Sequence, residues 1–420
     1  MTLNSAKVTL DVMSIRRDFP ILQTKVRNQK PLIYLDSAAT SQKPEQVIQA
    51  EANFYREVNS GVHRGAHYLS ELATDAYEKA RVKVAQFVGA KPEQLVITKN
   101  ATESLNLLAY AFSNQNSPFL LRAGDEIIVS EMEHHANLVP WQQVAEKTGA
   151  TLRWIPVTES GELSTENLDS LINEKTKVVS ITQMSNVLGT INDLENLAYR
   201  AKAVGAKFFV DACQSVPHMK VDFSKMNADA LAFSAHKMLG PLGIGILIAQ
   251  EEFLAQIPPF LSGGSMIETV TMEQATFAPA PKKFEAGTPN AAGIVATAAA
   301  VDYLEKIGME NIRNHEVELT DHLLEGLGQI SSVKVFASGV ESRGGAVSFS
   351  VTGVHPHDVG QVLDDDGIAI RVGHHCAWPL MKKLNVTATS RVSTYLYNDK
   401  TEIDKFLISL ERAKRFFGVS

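Results

Sequence analysis

The sequence has 420 residues, of which 45% are hydrophobic, and its 40 Lys and Arg against 47 Asp and Glu give a formal net charge of −7. This length suits two or three domains and excludes a small scaffold held together by disulfides. The excess of acidic residues and the absence of a run of Lys or Arg argue against a nucleic-acid partner. No apolar stretch of the sequence reaches the roughly 20 residues that cross a membrane.

The N-terminal segment lacks the apolar core and cleavage site that are typical of a secretory signal, so we expect a cytoplasmic protein. Cys213 and Cys376 are the only cysteines of the chain. In a reducing compartment we expect no disulfide between them. Each cysteine is therefore interpreted as a separate thiol.

From about residue 32 to residue 250, short apolar or β-branched runs alternate with amphipathic segments. The apolar runs predict strands at 32–35, 95–98, 126–130, 152–156, 178–183, 207–210, 230–233 and 243–249. The amphipathic segments predict helices at 67–88, 137–148 and 193–204. This alternation predicts an α/β fold, in which helices cover both faces of a mainly parallel sheet and ligands bind beyond the carboxyl ends of its strands.

The rest of the chain predicts a second, smaller unit. Residues 251–290 are rich in Pro and Gly, which predicts an extended loop. The segments after this loop predict helices at 291–307, 311–330, 357–365 and 400–417, and strands at 333–336, 346–351 and 368–372. We therefore predict a large domain of residues 31–304 and a smaller α+β domain of residues 305–420, which the N-terminal arm of residues 1–30 joins.

Charged residues follow two of the predicted strands. Asp211 comes directly after the strand at 207–210, and Lys237 comes shortly after the strand at 230–233. Taken singly, Asp211 suits a helix cap and Lys237 suits a solvated turn. Taken together, they suit pyridoxal 5'-phosphate, because this cofactor needs a lysine amine for its Schiff base and a carboxylate that keeps its pyridine nitrogen protonated.

The same cofactor needs donors for its phosphate group. Ser234 and His236 lie beside Lys237, and Thr102 opens a predicted helix, where free backbone N–H groups attract anions. The glycine-rich residues 240–245 compete for this role. They do not match a phosphate-binding loop, because no Gly-Lys-Ser/Thr follows and a strand comes next, so we interpret them as a turn.

A cysteine in a polar, basic setting lies in the C-terminal part of the chain. Cys376 follows Arg371, His374 and His375. Adjacent side chains diverge and no second pair of ligands accompanies them, so we do not expect zinc or another metal here. A packing role suits Cys213, whereas the basic neighbours of Cys376 favour a reactive thiolate.

Several short motifs occur in an order that is similar to that of a known family. They are VHRG at 62–65, MEHHAN at 132–137, DACQ at 211–214, SAHK at 234–237, FEAGTP at 284–289 and RVGHHC at 371–376. From about residue 19 onward, the sequence resembles the cysteine desulfurases of the SufS type, which belong to the class V aminotransferases of fold type I. The resemblance implies a homodimeric pyridoxal phosphate enzyme that converts L-cysteine to L-alanine and retains the sulfur as a cysteine persulfide.

The resemblance also implies roles for single residues around the cofactor. Lys237 carries the Schiff base and moves protons, and Asp211 pairs with the pyridine nitrogen. Gln214 hydrogen-bonds the phenolic oxygen, and His134 stacks on the ring and assists proton transfer. The phosphate is held by Thr102, Ser234 and His236, together with Thr288 of the partner subunit.

For the substrate, the resemblance implies that Asn186 and Arg391 bind the carboxylate, with Arg371 near the same pocket. Cys376 is the implied nucleophile that receives the sulfur. A small acceptor protein of the SufE or SufU kind is the implied partner, in support of iron–sulfur cluster assembly. Trp378 stands where the family often has a slimmer side chain, at a position that bears on how the persulfide meets its acceptor.

Three other readings of the sequence stay open at this point. A selenocysteine lyase would need the cofactor but little help from Cys376. An aminotransferase or a kynureninase-like enzyme would use the same fold. A sulfur-relay scaffold without enzymatic activity would release no alanine from cysteine.

Overall fold

The computed structural model describes residues 10–337 and 342–419. Its strands are β1 (Ile33–Tyr34), β2 (Leu95–Thr98), β3 (Glu126–Ser130), β4 (Thr151–Ile155), β5 (Thr176–Thr182), β6 (Lys207–Asp211), β7 (Ala230–Ser234), β8 (Gly245–Ala249), β9 (Ile267–Val270), β10 (Ala275–Phe277), β11 (Val333–Val335), β12 (Ala346–Val351), β13 (Ile368–Ala369), β14 (Arg371–Gly373) and β15 (Thr389–Ser393).

The helices of the same residues lie between these strands and at both ends. They are α1 (Val12–Arg17), α2 (Glu45–Asn53), α3 (Tyr68–Phe87), α4 (Ala101–Ala111), α5 (Val139–Thr148), α6 (Leu168–Leu171), α7 (Leu194–Ala203), α8 (Glu251–Gln256), α9 (Ala291–Ile307), α10 (Met309–Gly328), α11 (Pro356–Asp365), α12 (Trp378–Lys383) and α13 (Lys400–Phe416). No helix among them is both long enough and apolar enough to span a membrane.

The larger sheet has seven strands in the order β2-β8-β7-β6-β5-β3-β4. Strands β3 to β7 are parallel to their neighbours within this group, and β8 runs antiparallel to both β2 and β7. This confirms the predicted α/β fold with a mainly parallel sheet. The carboxyl ends of β5, β6 and β7 consequently meet at one edge of the sheet.

Side chains of the central strands alternate between two apolar layers. In β6, Phe208 and Val210 belong to the core that includes residues of α3, α7 and α9, whereas Phe209 belongs to the core that includes residues of α4, α5 and α8. Successive side chains of a strand point to opposite faces, so a continuous apolar run fills both layers. This is why residues 208–210 of β6 form an unbroken apolar run in the sequence.

The second sheet has four strands in the order β11-β12-β15-β14, and all its pairs are antiparallel. It shares an apolar core with α10, α11 and α13, which gives the predicted smaller α+β unit. Strand β15 was not predicted, and the strand predicted at 368–372 is divided into β13 and β14. The division of the chain at residues 304 and 305 stays a prediction, and residues 1–9, 338–341 and 420 of the predicted units lie outside the described residues.

Two predictions about individual segments were wrong. The segment at 32–35 does not join the large sheet, because β1 pairs in parallel with β13 and its Ile33 lies in the core of the smaller unit. The segment at 251–290 is not one extended loop, because it contains α8 and an antiparallel hairpin of β9 and β10. Most side chains of this hairpin are exposed and many are polar, so it lacks the apolar alternation that identifies a strand.

We predict that Phe209→Ala destabilises the protein by about 3–5 kcal/mol, because it removes a fully buried ring. The ring lies parallel to Trp141 at a centroid distance of 5.9 Å and also contacts Phe112 and Phe253. Urea unfolding measures the change. Phe416→Ala is the matched control, since Phe416 is 76% exposed and its removal should change the free energy of unfolding by less than about 0.5 kcal/mol.

Candidate active site

A cavity of about 290 Å³ opens at the carboxyl ends of the central strands. It is lined by side chains from the large sheet and by others from β14, β15 and the loop after β14. The lining includes every residue predicted for the site except Thr288, namely Thr102, His134, Asn186, Asp211, Gln214, Ser234, His236, Lys237, Arg371, Cys376 and Arg391. The fold thus brings together residues that lie up to 289 positions apart, from Thr102 to Arg391.

Opposite charges face this cavity from neighbouring strand ends. Asp211 is the last residue of β6, is 3% exposed, and accepts a hydrogen bond from the backbone N–H of Cys213 at 3.0 Å. Lys237 ends a short 3₁₀ turn that follows β7. A buried carboxylate without compensation is unfavourable, so Asp211 requires a cationic or hydrogen-bonding partner in the cavity.

The carbonyl oxygen of His236, in the turn that carries Lys237, accepts several hydrogen bonds from the segment after β1. This oxygen accepts hydrogen bonds from the hydroxyl of Thr40 at 3.0 Å, the backbone N–H of Ser41 at 3.1 Å and Nζ of Lys43 at 2.8 Å. Burial lowers the pKa of Lys43 to about 8. These residues were not predicted from the sequence, although the polar residues that follow the apolar run at 32–35 were a signal for them.

The start of α4 lies unusually close to the sheet. A Cβ atom on Gly245 would lie 2.2 Å from the backbone carbon of Asn100, so only glycine fits at the start of β8. Asn100 caps α4 by accepting from the backbone N–H of Glu103 at 2.9 Å, and Ser234 accepts from the N–H of Ala101 at 2.8 Å. Thr102 occupies the next position, at the positive end of the helix dipole, where an anion is stabilised.

His134 presents a neutral ring to the cavity. Burial, with a smaller effect of the Lys237 charge, lowers the pKa of His134 to about 4. Its Nδ1 accepts from the backbone N–H of Ala136 at 3.1 Å, which fixes the ring. The preceding Glu133 is fully buried beneath it, and burial raises the pKa of Glu133 to about 8. An uncharged, fixed ring of this kind suits stacking against a flat ligand.

Two arginines lie opposite each other on adjacent strands, Arg371 in β14 and Arg391 in β15. Like charges at such positions repel, and Asp36 lies between them at 3.5 Å from Nη1 of Arg371 and 3.1 Å from Nη2 of Arg391. Burial raises the pKa of Asp36, while both arginines oppose that rise. Asp36 follows the apolar run at 32–35 as Asp211 follows the apolar run at 208–210, but Asp36 was not predicted from the sequence.

Arg391 retains capacity to bind an anion. Its Nη1 donates to the carbonyl oxygen of Asn186 at 2.8 Å, and its Nη2 donates to Asp36. Each of these two nitrogens therefore keeps one N–H that can bind another acceptor. Its Nε is buried without a hydrogen-bond partner among the described residues. The amide group of Asn186 donates one hydrogen bond to the carbonyl oxygen of His375 at 2.7 Å, and its implied contact with the substrate carboxylate stays a prediction.

The loop that carries Cys376 has an unusual backbone. His375 and Cys376 have φ angles of 51° and 56°, in the left-handed region. The N–H of Cys376 donates to Nδ1 of His374 at 3.1 Å, which tightens the turn. Burial and the arginine charges lower the pKa of His375 to about 3, so His375 is neutral at physiological pH and supplies no charge to stabilise a thiolate, contrary to the basic role expected from the sequence.

Two further residues of the sequence analysis have clear places in the structure. Cys213 packs against the core of α4 and α5 and also lines the cavity, and burial next to the Asp211 carboxylate raises the pKa of its thiol. Thr288 is exposed in the loop before α9, beside a separate cavity that Lys99 and Glu103 line. The contact of Thr288 with the cofactor phosphate of a partner subunit stays a prediction.

In the described part of the chain, His, Cys, Asp and Glu side chains form no group of three or more that could hold a metal ion.

Comparison with known sequences gives a match to the aminotransferase class-V family over residues 33–406. The chain belongs to this family.

Relatives that match nearly the whole chain include cysteine desulfurases. The chain is 53% identical to the probable cysteine desulfurase 2 of Mycobacterium leprae over 97% of this chain and 98% of the relative. Among solved structures, the apo cysteine desulfurase of Thermococcus onnurineus NA1 is similar with a TM-score of 0.90 and 40% identity, covering 96% of this chain and 98% of the other. The cysteine desulfurase CsdA (S-sulfonic acid) of Escherichia coli gives a TM-score of 0.89 and 35% identity, covering 97% and 100%.

We predict that His375→Asn makes the stability of the protein less sensitive to acid. Because the folded pKa of about 3 lies below the ordinary value of 6.5, the unfolded chain binds the extra proton first, and stability falls as the pH decreases from about 6.5 toward 3. Asparagine tolerates the left-handed backbone and removes this titration.

Urea unfolding between pH 7.5 and pH 5 measures the effect. The dependence of the free energy of unfolding on pH should become shallower by up to about 1.4 kcal/mol per pH unit below pH 6.5. The same substitution at the exposed His357 controls for the loss of a histidine. Equal pH dependence in His375→Asn and the parent protein would contradict the assignment.

Proposed function

We propose that this protein is a pyridoxal phosphate-dependent cysteine desulfurase, which transfers the sulfur of L-cysteine to Cys376 and releases L-alanine. One observation carries the proposal. The amine of Lys237, the buried carboxylate of Asp211 and the thiol of Cys376 line one cavity, although the thiol comes from the smaller unit of the fold. A lysine and a carboxylate supply the two polar contacts of the cofactor ring, and a thiol facing them is a sulfur acceptor.

The residues of the cavity fit the cofactor. Asp211 is buried where a protonated pyridine nitrogen would compensate its charge, and the neutral ring of His134 offers a flat surface. The close approach of α4 to Gly245 supports a phosphate site here, because Thr102, Ser234 and the positive end of the helix border the same cavity. We also propose that Gln214 contacts the phenolic oxygen of the cofactor and that His236 contacts its phosphate.

Pyridoxal phosphate held in this cavity would supply an electron sink to an amino acid attached to it in place of Lys237, which would weaken the bond to the α-hydrogen of that amino acid. Asp211 sustains this electron sink by keeping the pyridine nitrogen protonated. Nζ of Lys237, once displaced by the substrate, removes the α-proton and later returns a proton. The contacts of Thr40, Ser41 and Lys43 on the carbonyl oxygen of His236 hold the backbone of Lys237 while its side chain moves.

Arg391 binds the substrate carboxylate through the N–H groups that Asp36 and Asn186 leave free, and this fixes the position of the substrate sulfur. The thiolate of Cys376 attacks that sulfur. The carbon–sulfur bond breaks as the sulfur–sulfur bond forms, and the bonding electrons pass to the carbon fragment, which gains protons and leaves as alanine. L-Cysteine and the Cys376 thiol thus yield L-alanine and a Cys376 persulfide.

Sulfur transfer to a further molecule completes the proposed role. Cys376 lies two residues from Trp378, which is 57% exposed, so the loop can present the persulfide at the surface. We propose a small SufE- or SufU-like acceptor protein, use of the sulfur in iron–sulfur cluster assembly, and a homodimer in which Thr288 contacts the phosphate of the partner subunit's cofactor. Both cysteines are free thiols, which supports the proposed cytoplasmic location.

We predict that Arg391→Lys raises the KM for L-cysteine roughly 10- to 100-fold. Lysine keeps the charge but loses the planar fork, and one charge-assisted hydrogen bond contributes about 1.5–3 kcal/mol. Arg371→Lys is the matched control and should have a smaller effect, because the side chain of Arg371 is 54% exposed and that of Arg391 is 3% exposed. Steady-state alanine formation measures both, and a larger effect at Arg371 would contradict the assignment.

A second experiment distinguishes the role of Lys237 from that of Cys376. Lys237→Ala should lose the absorbance of the lysine-bound cofactor, whereas Cys376→Ala should keep that absorbance and form no persulfide, with alanine formation from L-cysteine reduced at least about 100-fold. Absorbance spectra, mass spectrometry and alanine detection are the measurements. A Cys376→Ala protein that forms alanine at the parent rate would favour a lyase that needs no thiol and would contradict the proposal.

A further inference from the structure

His135 lies next to His134 in the MEHHAN motif, and the mechanism above gives it no role. It begins a short 3₁₀ turn, and its ring lies 5.8 Å from the ring of His374 in a nearly parallel arrangement. The ring of His374 in turn lies 5.0 Å from that of Trp378. His135 therefore packs against the loop that carries Cys376, although it is 241 positions away in the sequence.

Two hydrogen bonds connect His135 to that loop, one on each side of Ala377, which directly follows Cys376. The backbone N–H of His135 donates to the carbonyl oxygen of Cys376 at 2.7 Å. Nε2 of its ring accepts from the backbone N–H of Trp378 at 3.0 Å. One residue of the large unit thus fixes the backbone directly after the nucleophile.

The loop needs such support because its backbone is strained. His375 and Cys376 both have left-handed φ angles, which residues with a Cβ atom adopt at a cost, and two in succession persist only when the surroundings hold them. The bond from Asn186 to the carbonyl oxygen of His375 holds the first of them. The bonds of His135 hold the second.

We propose that His135 is a positioning residue, whose ring Nε2 holds the Trp378 amide and thereby keeps the strained loop in the conformation that directs the Cys376 sulfur toward the substrate. The inference rests on the proposed function, since it concerns the approach of that sulfur. The bond requires a neutral ring with its proton on Nδ1, because Nε2 serves as the acceptor. Burial, with a smaller effect of His374, lowers the pKa of His135 and so favours the neutral form.

The test compares His135→Leu with His135→Gln. Leucine fills a similar space without an acceptor, whereas the Oε1 atom of glutamine reaches the position of Nε2 and can accept from Trp378. The backbone N–H of residue 135 is present in both variants, so the comparison isolates the ring contact. Exposed His357→Leu serves as a control for the same exchange elsewhere.

The first measurement is a single turnover of the cofactor-loaded enzyme with L-cysteine. We expect persulfide formation on Cys376 to slow about tenfold or more in His135→Leu and to recover to within about threefold of the parent rate in His135→Gln, because a small displacement of a nucleophile has large effects on rate. The absorbance change on adding L-cysteine and the KM should stay within about twofold. Unchanged persulfide formation in His135→Leu, or equal slowing in both variants, would overturn the inference.

The second measurement is alkylation of Cys376 by iodoacetamide without substrate, followed by mass spectrometry of its peptide. We expect alkylation to be at least about threefold faster in His135→Leu, because the released loop exposes the thiol, and near the parent rate in His135→Gln and His357→Leu. Equal rates in all four proteins would overturn the inference. This measurement does not depend on desulfurase activity, so a parent enzyme that forms no persulfide would refute the proposed function separately.

Discussion

The site depends on the compensation of charges that are buried at the edge of an apolar sheet. The strands β5, β6 and β7 lie between two apolar layers, so a charged side chain at their carboxyl ends loses hydration and needs a nearby partner. Asp211 is buried there, facing the same cavity as Lys237. In the proposed function, a cationic ring attached to that lysine compensates the Asp211 carboxylate, so the fold provides the two groups that the cofactor needs.

A second group of charges, in which one carboxylate offsets two arginines, connects the two units of the fold. Asp36 lies after β1, which pairs with β13, and its carboxylate separates Arg371 from Arg391 on adjacent strands. The residues that follow Asp36 reach the other unit, where Thr40 and Lys43 bind the carbonyl oxygen of His236. One short segment therefore connects Arg391, which we propose binds the substrate carboxylate, to the turn that carries Lys237, which we propose transfers the proton.

Most of the large sheet could be predicted from the sequence because its strands are continuous apolar runs, and the polar residues after those runs revealed Asp211, Ser234 and Lys237. Strand β15 gave no such signal, because four of the five side chains of TSRVS are polar although all five residues are buried. The position of Arg391 consequently came from the resemblance alone. Hydrogen bonds between distant segments, such as that from Asn186 to His375, leave no periodic pattern at all.

The Cys376 thiol is a reactant in the proposed reaction, so the ratio of the products tests that reaction most directly. Purified enzyme loaded with pyridoxal phosphate is mixed with a limiting amount of L-cysteine without a reductant or an acceptor, and alanine and persulfide are counted after a single turnover. For this reaction we predict equal amounts of L-alanine and of persulfide on Cys376. Alanine without persulfide, or a keto acid in place of alanine, would contradict it.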